Sequence, residues 1–315
     1  MARIAALGSS LQDIYLVDHD DLVSDSGKYE RIHIGTKVDI DKVSYEVGGG
    51  ATNAATTFVR HGHEAILLSN IGRDIAGEAI LKCLDEEGID NSYLCYSKDS
   101  TGCSVILLDS KSGERTILTH RGASARFDNI SEKCLDMISP DWLYVTTLRG
   151  DMATLERFFK KAKKLDIKIM FNPGELELKH KRNLTKLLEY VDVLLVNKRE
   201  AAEIVPGKTL TELLSRLKNY LRMVIITDGQ MGAIATDGAK TFRFGLYEDL
   251  KVVDTTGAGD AFGSGFLAAL AAGKSFGDSL TFASANSTSV VSKLGAKTGI
   301  LTGRERLHQM PIQEV

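Results

Sequence analysis

The chain is poor in residues that staple or anchor unusual proteins. Its four cysteines, Cys83, Cys95, Cys103 and Cys134, form no Cys-x-x-Cys spacing. That argues against a zinc ribbon or a disulfide scaffold and suits ordinary thiols in a reducing compartment. No apolar run reaches the roughly 18 residues a membrane-crossing helix needs. The opening Met1-Ala2-Arg3-Ile4-Ala5-Ala6-Leu7-Gly8 is too short for a signal segment. The expectation is a cytoplasmic protein with no membrane partner. Charge of one sign is also missing: 39 Lys and Arg against 42 Asp and Glu leave a net charge of -3, interspersed along the chain. This excludes the basic field of a nucleic-acid binder and any acidic tail. A complete P-loop is absent as well. Gly207-Lys208-Thr209 and Gly273-Lys274-Ser275 end like one, but Ala202 and Ala268 stand where its first glycine belongs.

What is present is enough to build a large core, since 43% of the 315 residues are hydrophobic. Apolar runs bounded by turn signals alternate with amphipathic stretches, which predicts an α/β protein with a mostly parallel central sheet flanked by helices. Strands are predicted at Ile4 to Leu7, Ala65 to Ile71, Trp142 to Thr146, Lys168 to Phe171, Val193 to Val196 and Met223 to Thr227. Helices are predicted at Ala51 to Arg60, Ala76 to Glu87, Thr154 to Leu165, Leu210 to Leu221 and Asp260 to Ala271. Two β-rich segments break the alternation, the second a hairpin around Lys111-Ser112-Gly113. They pair into a small β-sheet lid, 14–47 with 92–120, over a body made of 1–13, 48–91 and 121–315. A lid of this kind suits a site on the body.

The densest chemical signal is Asp254-Thr255-Thr256-Gly257-Ala258-Gly259-Asp260-Ala261-Phe262, where a small-residue turn runs into an apolar helix. Gly257, Ala258 and Gly259 let backbone N–H groups converge, and the helix N-terminus adds its positive end, so the turn reads as an anion hole. A carboxylate at Asp260 is compatible with it if the carboxylate faces an attacking alcohol while the amides face a phosphoryl group. The competing reading, an Asp that merely complements the helix dipole, stays open at this point.

This motif, with Gly48-Gly49-Gly50-Ala51-Thr52-Asn53-Ala54-Ala55, resembles the two signatures of the ribokinase-like, or phosphofructokinase-B, family of carbohydrate and nucleoside kinases. The resemblance covers nearly the whole chain. It implies ATP-dependent transfer of the γ-phosphoryl group to a hydroxyl of a sugar, of ribokinase or fructokinase type. A nucleoside kinase of adenosine, inosine or cytidine type is the alternative. Asp260 then falls on the catalytic base, and Asp13, Gly48, Gly49 and Asn53 fall on the acceptor site. Asn197, Thr227, Gly229, Gly232 and Asn286 fall on the ATP site. Glu200, in Asn197-Lys198-Arg199-Glu200, matches the Mg2+ end, acting through water, although Asn197 with Glu200 is also a helix-capping pattern. Asp254 and Thr256, with the Ser292 to Thr298 loop, match a K+ site.

Departures from the family pattern bear on the acceptor. Leu11 stands where ribokinases often carry asparagine, Gly50 replaces a frequent lysine, and the strand ending Tyr144-Val145-Thr146-Thr147-Leu148 lacks a glutamate often used on ribose. The acceptor segments Gly8 to Asp13 and Gly48 to Asn53 contain no cation, so an unphosphorylated polyol is expected, with Arg121 and Arg149 as the nearest cations. The partners expected are a small-molecule sugar or nucleoside and a second copy of the chain, a homodimer through the lid, and no nucleic acid.

Overall fold

The computed structural model describes residues 1–18, 35, 37, 39–109, 115–245, 252–305, 307 and 312–315. The Lys111-Ser112-Gly113 turn and residues 19–34 of the first β-rich segment lie outside them. Apolar runs become strands in chain order: β1 (Arg3–Leu7), β2 (Leu11–Asp18), β3 (Lys42–Gly48), β4 (Glu64–Leu68), β5 (Asn70–Ile71), β6 (Cys95–Tyr96), β7 (Gly102–Asp109) and β8 (Arg115–His120). There follow β9 (Trp142–Val145), β10 (Lys168–Phe171), β11 (Val193–Asn197), β12 (Met223–Thr227), β13 (Ala233–Thr236), β14 (Thr241–Phe244) and β15 (Ile312–Glu314).

Nine strands form one sheet in the order β15-β14-β13-β12-β11-β10-β9-β1-β4. From β4 to β12 every pairing is parallel, and β13, β14 and β15 add an antiparallel margin. Both faces are covered, as parallel sheets require. On β1, Ala5 and Leu7 enter a core with Phe158 and Phe171, while Ile4 and Ala6 enter the opposite core with Phe58 and Phe266.

The principal helices are α1 (Gly50–Arg60), α2 (Ile75–Glu87), α3 (Cys134–Ile138), α4 (Met152–Lys164), α5 (Glu175–Leu178), α6 (Lys181–Leu187), α7 (Lys198–Ile204), α8 (Leu210–Leu217), α9 (Ala258–Ala271) and α10 (Phe276–Val291). Their ends follow capping chemistry. Asp74 accepts from Gly77 N at 2.9 Å to start α2, Gly88 closes it at φ 73°, and Asp151 accepts from Thr154 N at 3.0 Å to start α4. Among the described residues no helix is long and apolar enough to cross a membrane.

The second sheet, in the order β3-β2-β7-β8, is the small β lid. Its edges differ from the sequence reading. Leu11 to Asp13 belong to β2 and Gly48 to β3, so the first lid segment begins three residues before position 14 and Asp13 stands on a lid strand. Residues 95–96 pair with β5 instead of joining the lid. The misplacement has a physical cause: β1 and β2 are separated only by Gly8-Ser9-Ser10, and so short a break does not say which sheet the residues after it join.

Because β1, β9, β10, β11 and β12 run parallel, their C-terminal ends meet at one edge of the sheet, the usual place for a ligand crevice. Ser9, Thr147, Gly174, Asn197 and Thr227 all emerge there.

Candidate active site

The turn before α9 has the shape required of an anion hole. Gly257 is its N-cap with φ 76°, a left-handed conformation, and a Cβ there would sit 2.5 Å from the Ala296 Cβ. Gly259, by contrast, faces open space. The first-turn N–H groups of Gly259 and Asp260 have no intrahelical acceptor, and the helix dipole points its positive end the same way. Ser287 on α10 donates to the Ala258 carbonyl at 2.9 Å and fixes the turn from behind.

Asp260 meets Asn53 across 207 residues of sequence: Asn53 Nδ2 donates to Asp260 Oδ2 at 2.9 Å. Burial pushes the Asp260 carboxyl up from its ordinary value, and the Asn53 hydrogen bond opposes that rise. Asp260 Oδ1 is left for a hydroxyl. The Asn53 Oδ1 atom is buried with no partner, the kind of orphan that a ligand donor would satisfy. Ser264 ties this corner together, donating to the Asp260 carbonyl at 2.6 Å and sharing a 2.8 Å hydroxyl–hydroxyl hydrogen bond with Thr57 on α1.

Asp13 lies against the same helix. A Cβ on Gly48 would meet its Oδ2 at 2.0 Å, and one on Gly49, at φ 100°, would meet the Ser9 carbonyl at 2.3 Å. Ser10 and Thr52 share a 2.7 Å hydrogen bond that closes the loop onto α1. Asp13 is 7% exposed. Burial raises its pKa to about 6, while a hydrogen bond from Ser104 and the charge of Lys297 hold it down.

At the other end of the crevice, Asn197 and Thr227 are direct neighbours in the β11–β12 register. Gly229 and Gly232 flank the adjoining turn at φ 54° and 83°, and Lys198 pairs with Asp228 at 2.8 Å. Asn197 and Glu200 form the reciprocal cap that the sequence allowed, with Glu200 Oε2 accepting from Asn197 N at 2.8 Å. Burial moves the Glu200 carboxyl up despite that bond. Asn286 stands apart. It is wholly buried, donates to the Ala261 carbonyl at 2.8 Å and accepts from Leu301 N at 2.9 Å. Here it clamps α10 to α9.

Residues 1–302 match the profile described as pfkB family carbohydrate kinase. The chain belongs to that family. It is 28% identical over 269 residues to a ribokinase from Haemophilus influenzae, covering 82% of this chain and 86% of that protein. It is also 28% identical over 305 residues to an ATP-dependent 6-phosphofructokinase from Thermoanaerobacterium thermosaccharolyticum, covering 88% and 92%. A ribokinase from Arabidopsis thaliana, solved with ribose and ATP, superimposes with a TM-score of 0.80 over 95% of this chain and 96% of that one at 22% identity, which shows the fold.

Within this pfkB-family kinase the structure adds residues that sequence reading missed. Arg115, on lid strand β8, donates to Thr255 Oγ1 at 2.5 Å and lies 3.5 Å from Asp254 Oδ1. Asp254 also accepts from Thr256 N at 2.8 Å, Thr256 Oγ1 at 2.6 Å, Tyr15 Oη at 3.2 Å and Gly295 N at 3.2 Å. A carboxylate offers about four acceptor positions, so these donors fill it, and direct K+ coordination by the Asp254 side chain does not fit. Tyr15 and Arg115 carry no signature in one dimension, since each acts from a lid strand on a turn more than 100 residues away.

The Asp13 carboxyl supplies the pH prediction. An ionised Asp13 accepts hydrogen bonds from acceptor hydroxyls and a protonated one accepts fewer, so the acceptor KM should fall as pH rises through about 6. Asp13→Asn should raise KM and remove this limb from the kcat/KM profile. A limb unchanged in the variant would take Asp13 out of acceptor binding.

Proposed function

We propose that this ATP-dependent kinase uses Asp260 to take the proton of a primary sugar hydroxyl as that oxygen attacks the γ-phosphorus of ATP, and that ADP leaves through cleavage of the β–γ bridging bond. The supporting observation is the placement of Asp260 on the first turn of α9, beside unpaired backbone N–H groups and gripped by Asn53 from the acceptor side. The N–H groups of the Gly257–Gly259 turn stabilise the charge that develops on the transferred group, and Asp13 and Asn53 orient the acceptor. ATP occupies the edge formed by Asn197, Thr227, Gly229 and Gly232, and lid sheet β3-β2-β7-β8 excludes water. The nucleoside alternative uses the same machinery.

Among the described residues no cluster of three or more His, Cys, Asp or Glu forms a self-sufficient metal site. That fits Mg2+, which keeps much of its water and leans on few protein ligands. Glu200 would hold it through water, and the ion would supply positive charge against the phosphates. K+ belongs to the proposal in a narrower form, held by Thr256 and by backbone carbonyls of the Ser292 to Thr298 loop. Replacing sodium by potassium at constant ionic strength should raise the rate, and equal rates would discard the ion.

Val43, Tyr45 and Leu118 of the lid sheet are exposed, at 45%, 67% and 57%, and the strand register puts them on one face. Together they support a homodimer through the lid. Light scattering should give twice the chain mass for the wild type and the single-chain mass for Tyr45→Lys; a monomeric wild type would contradict it.

The decisive test of the chemistry is Asp260→Asn. It should lower kcat by about two to four orders of magnitude, the range of a positioned general base, while ATP still binds. Unchanged turnover would remove Asp260 from the reaction.

A further inference from the structure

Beside the acceptor segment lies a cavity of about 310 Å³ whose lining includes Ser9, Thr147, Arg121, Arg149, Glu175 and Lys179. Lys179 is paired with Glu175 at 3.1 Å. The guanidinium groups of Arg121 and Arg149 have no carboxylate or carbonyl partner among the described residues. They come from different parts of the chain, one after β8 and the other after β9, and each lies in the other's field. That repulsion adds to burial in lowering the Arg121 pKa, and Asp13 only partly offsets it. Glu175, the acid of the lining, is taken up by Lys179, so two like charges converge on one cavity with no acid paired to either, an arrangement that a bound anion stabilises.

The loop that presents Arg149 is built for the purpose. Arg149 has φ 57°, a left-handed conformation that is strained for a non-glycine residue. It is held there by donation from its own N–H to Thr147 Oγ1 at 3.0 Å. Thr147 Oγ1 in turn donates to Glu177 at 2.8 Å. Glu177, with no solvent exposure, also accepts from Leu148 N, Gly150 N and Gly174 N at 2.9, 2.7 and 2.9 Å. Its carboxylate is spent on shaping this loop and bonds neither arginine.

We propose that this cavity is an anion subsite for a phosphate carried by the acceptor, so that the substrate is a sugar phosphate and Arg121 and Arg149 set that specificity. The inference rests on the kinase reading above and narrows its acceptor. Ser9 lines the cavity and its carbonyl packs against Gly49, while Asn53, four residues further along, holds Asp260. Gly49 to Asn53 spans roughly 6 Å of helix, a separation that a five- or six-carbon sugar bridges between its reacting hydroxyl and a terminal phosphate. Two guanidinium forks offer more donors than the four acceptor positions of a carboxylate can take, whereas the three oxygens of a phosphate can use them. The neutral polyol expected from the cation-free acceptor segments gives way because the topology delivers cations from outside those segments.

The test is calorimetric titration of the full-length enzyme, without ATP, with fructose, fructose 6-phosphate, tagatose 6-phosphate and gluconate, run beside acceptor-stimulated ADP release. At least one phosphate ester should bind more than tenfold more tightly than fructose. Arg149→Ala and Arg121→Gln, the latter at an exposed position that tolerates change, should each erase about tenfold to a hundredfold of that preference, the expected loss for a charge-assisted partner. The thermal shift given by ATP alone should be retained in both variants, which shows that they are folded. Fructose binding as tightly as both esters, gluconate matching them, or a preference that survives both substitutions would overturn the inference. ADP release driven by neutral sugars and not by the esters would overturn it and leave the kinase reading standing. A binding preference with no ADP release from any acceptor would do the reverse.

Discussion

The hydrogen bond from Asn53 to Asp260 is the contact on which the rest of the site depends. It joins the first turn of α1, which follows the glycine-rich acceptor turn, to the first turn of α9, which carries the anion hole. A carboxylate withdrawn from water tends to take up a proton, and a protonated Asp260 could not act as a base. The amide donor works against that tendency. In the proposed reaction it leaves one carboxylate oxygen for the acceptor and lets hydroxyl and phosphoryl group face each other between the two helix termini. The glycines around it are consequences of the same constraint: side chains at 48, 49 or 257 would collide with Asp13, Ser9 or Ala296.

The lid is part of this chemistry as well as a cover. Asp13 hangs from β2 of the lid sheet, opposite Ser104 of β7 and Glu46 of β3. Tyr15 from the same strand and Arg115 from β8 reach into the turn before α9 and hold Asp254. Movement of the lid would therefore shift Asp13 and the support of the turn before α9 together. In the proposed reaction this couples acceptor binding to phosphoryl stabilisation through side chains of one four-stranded sheet.

The secondary structure was legible wherever a single period dominated. Val193-Leu194-Leu195-Val196 and Met223-Val224-Ile225-Ile226-Thr227 are buried parallel strands, and the stripe of Phe262, Phe266 and Leu267 seats α9, all as their patterns imply. Asp260, Gly257 and Asn53 were legible because each belongs to a compact local motif. The edge of the lid was not, because nothing in the β1–β2 pattern marks where one sheet ends and the next begins. Asn286 is polar and sits in a helix near the nucleotide end, yet only its orientation shows that it bonds Ala261 and Leu301. The meeting of Arg121 with Arg149, and the four bonds that bury Glu177, depend on contacts between distant segments that no local period encodes.

If Asn53 holds Asp260 ionised, removing the amide donor must raise the carboxyl pKa, because the bond favours the charged form. The direct measurement is the pH dependence of kcat at saturating ATP and acceptor in the wild type and in Asn53→Ala. The account predicts that the acid limb moves to higher pH in the variant, with the plateau rate lowered less than in Asp260→Asn. An acid limb at the same pH in both enzymes would contradict it.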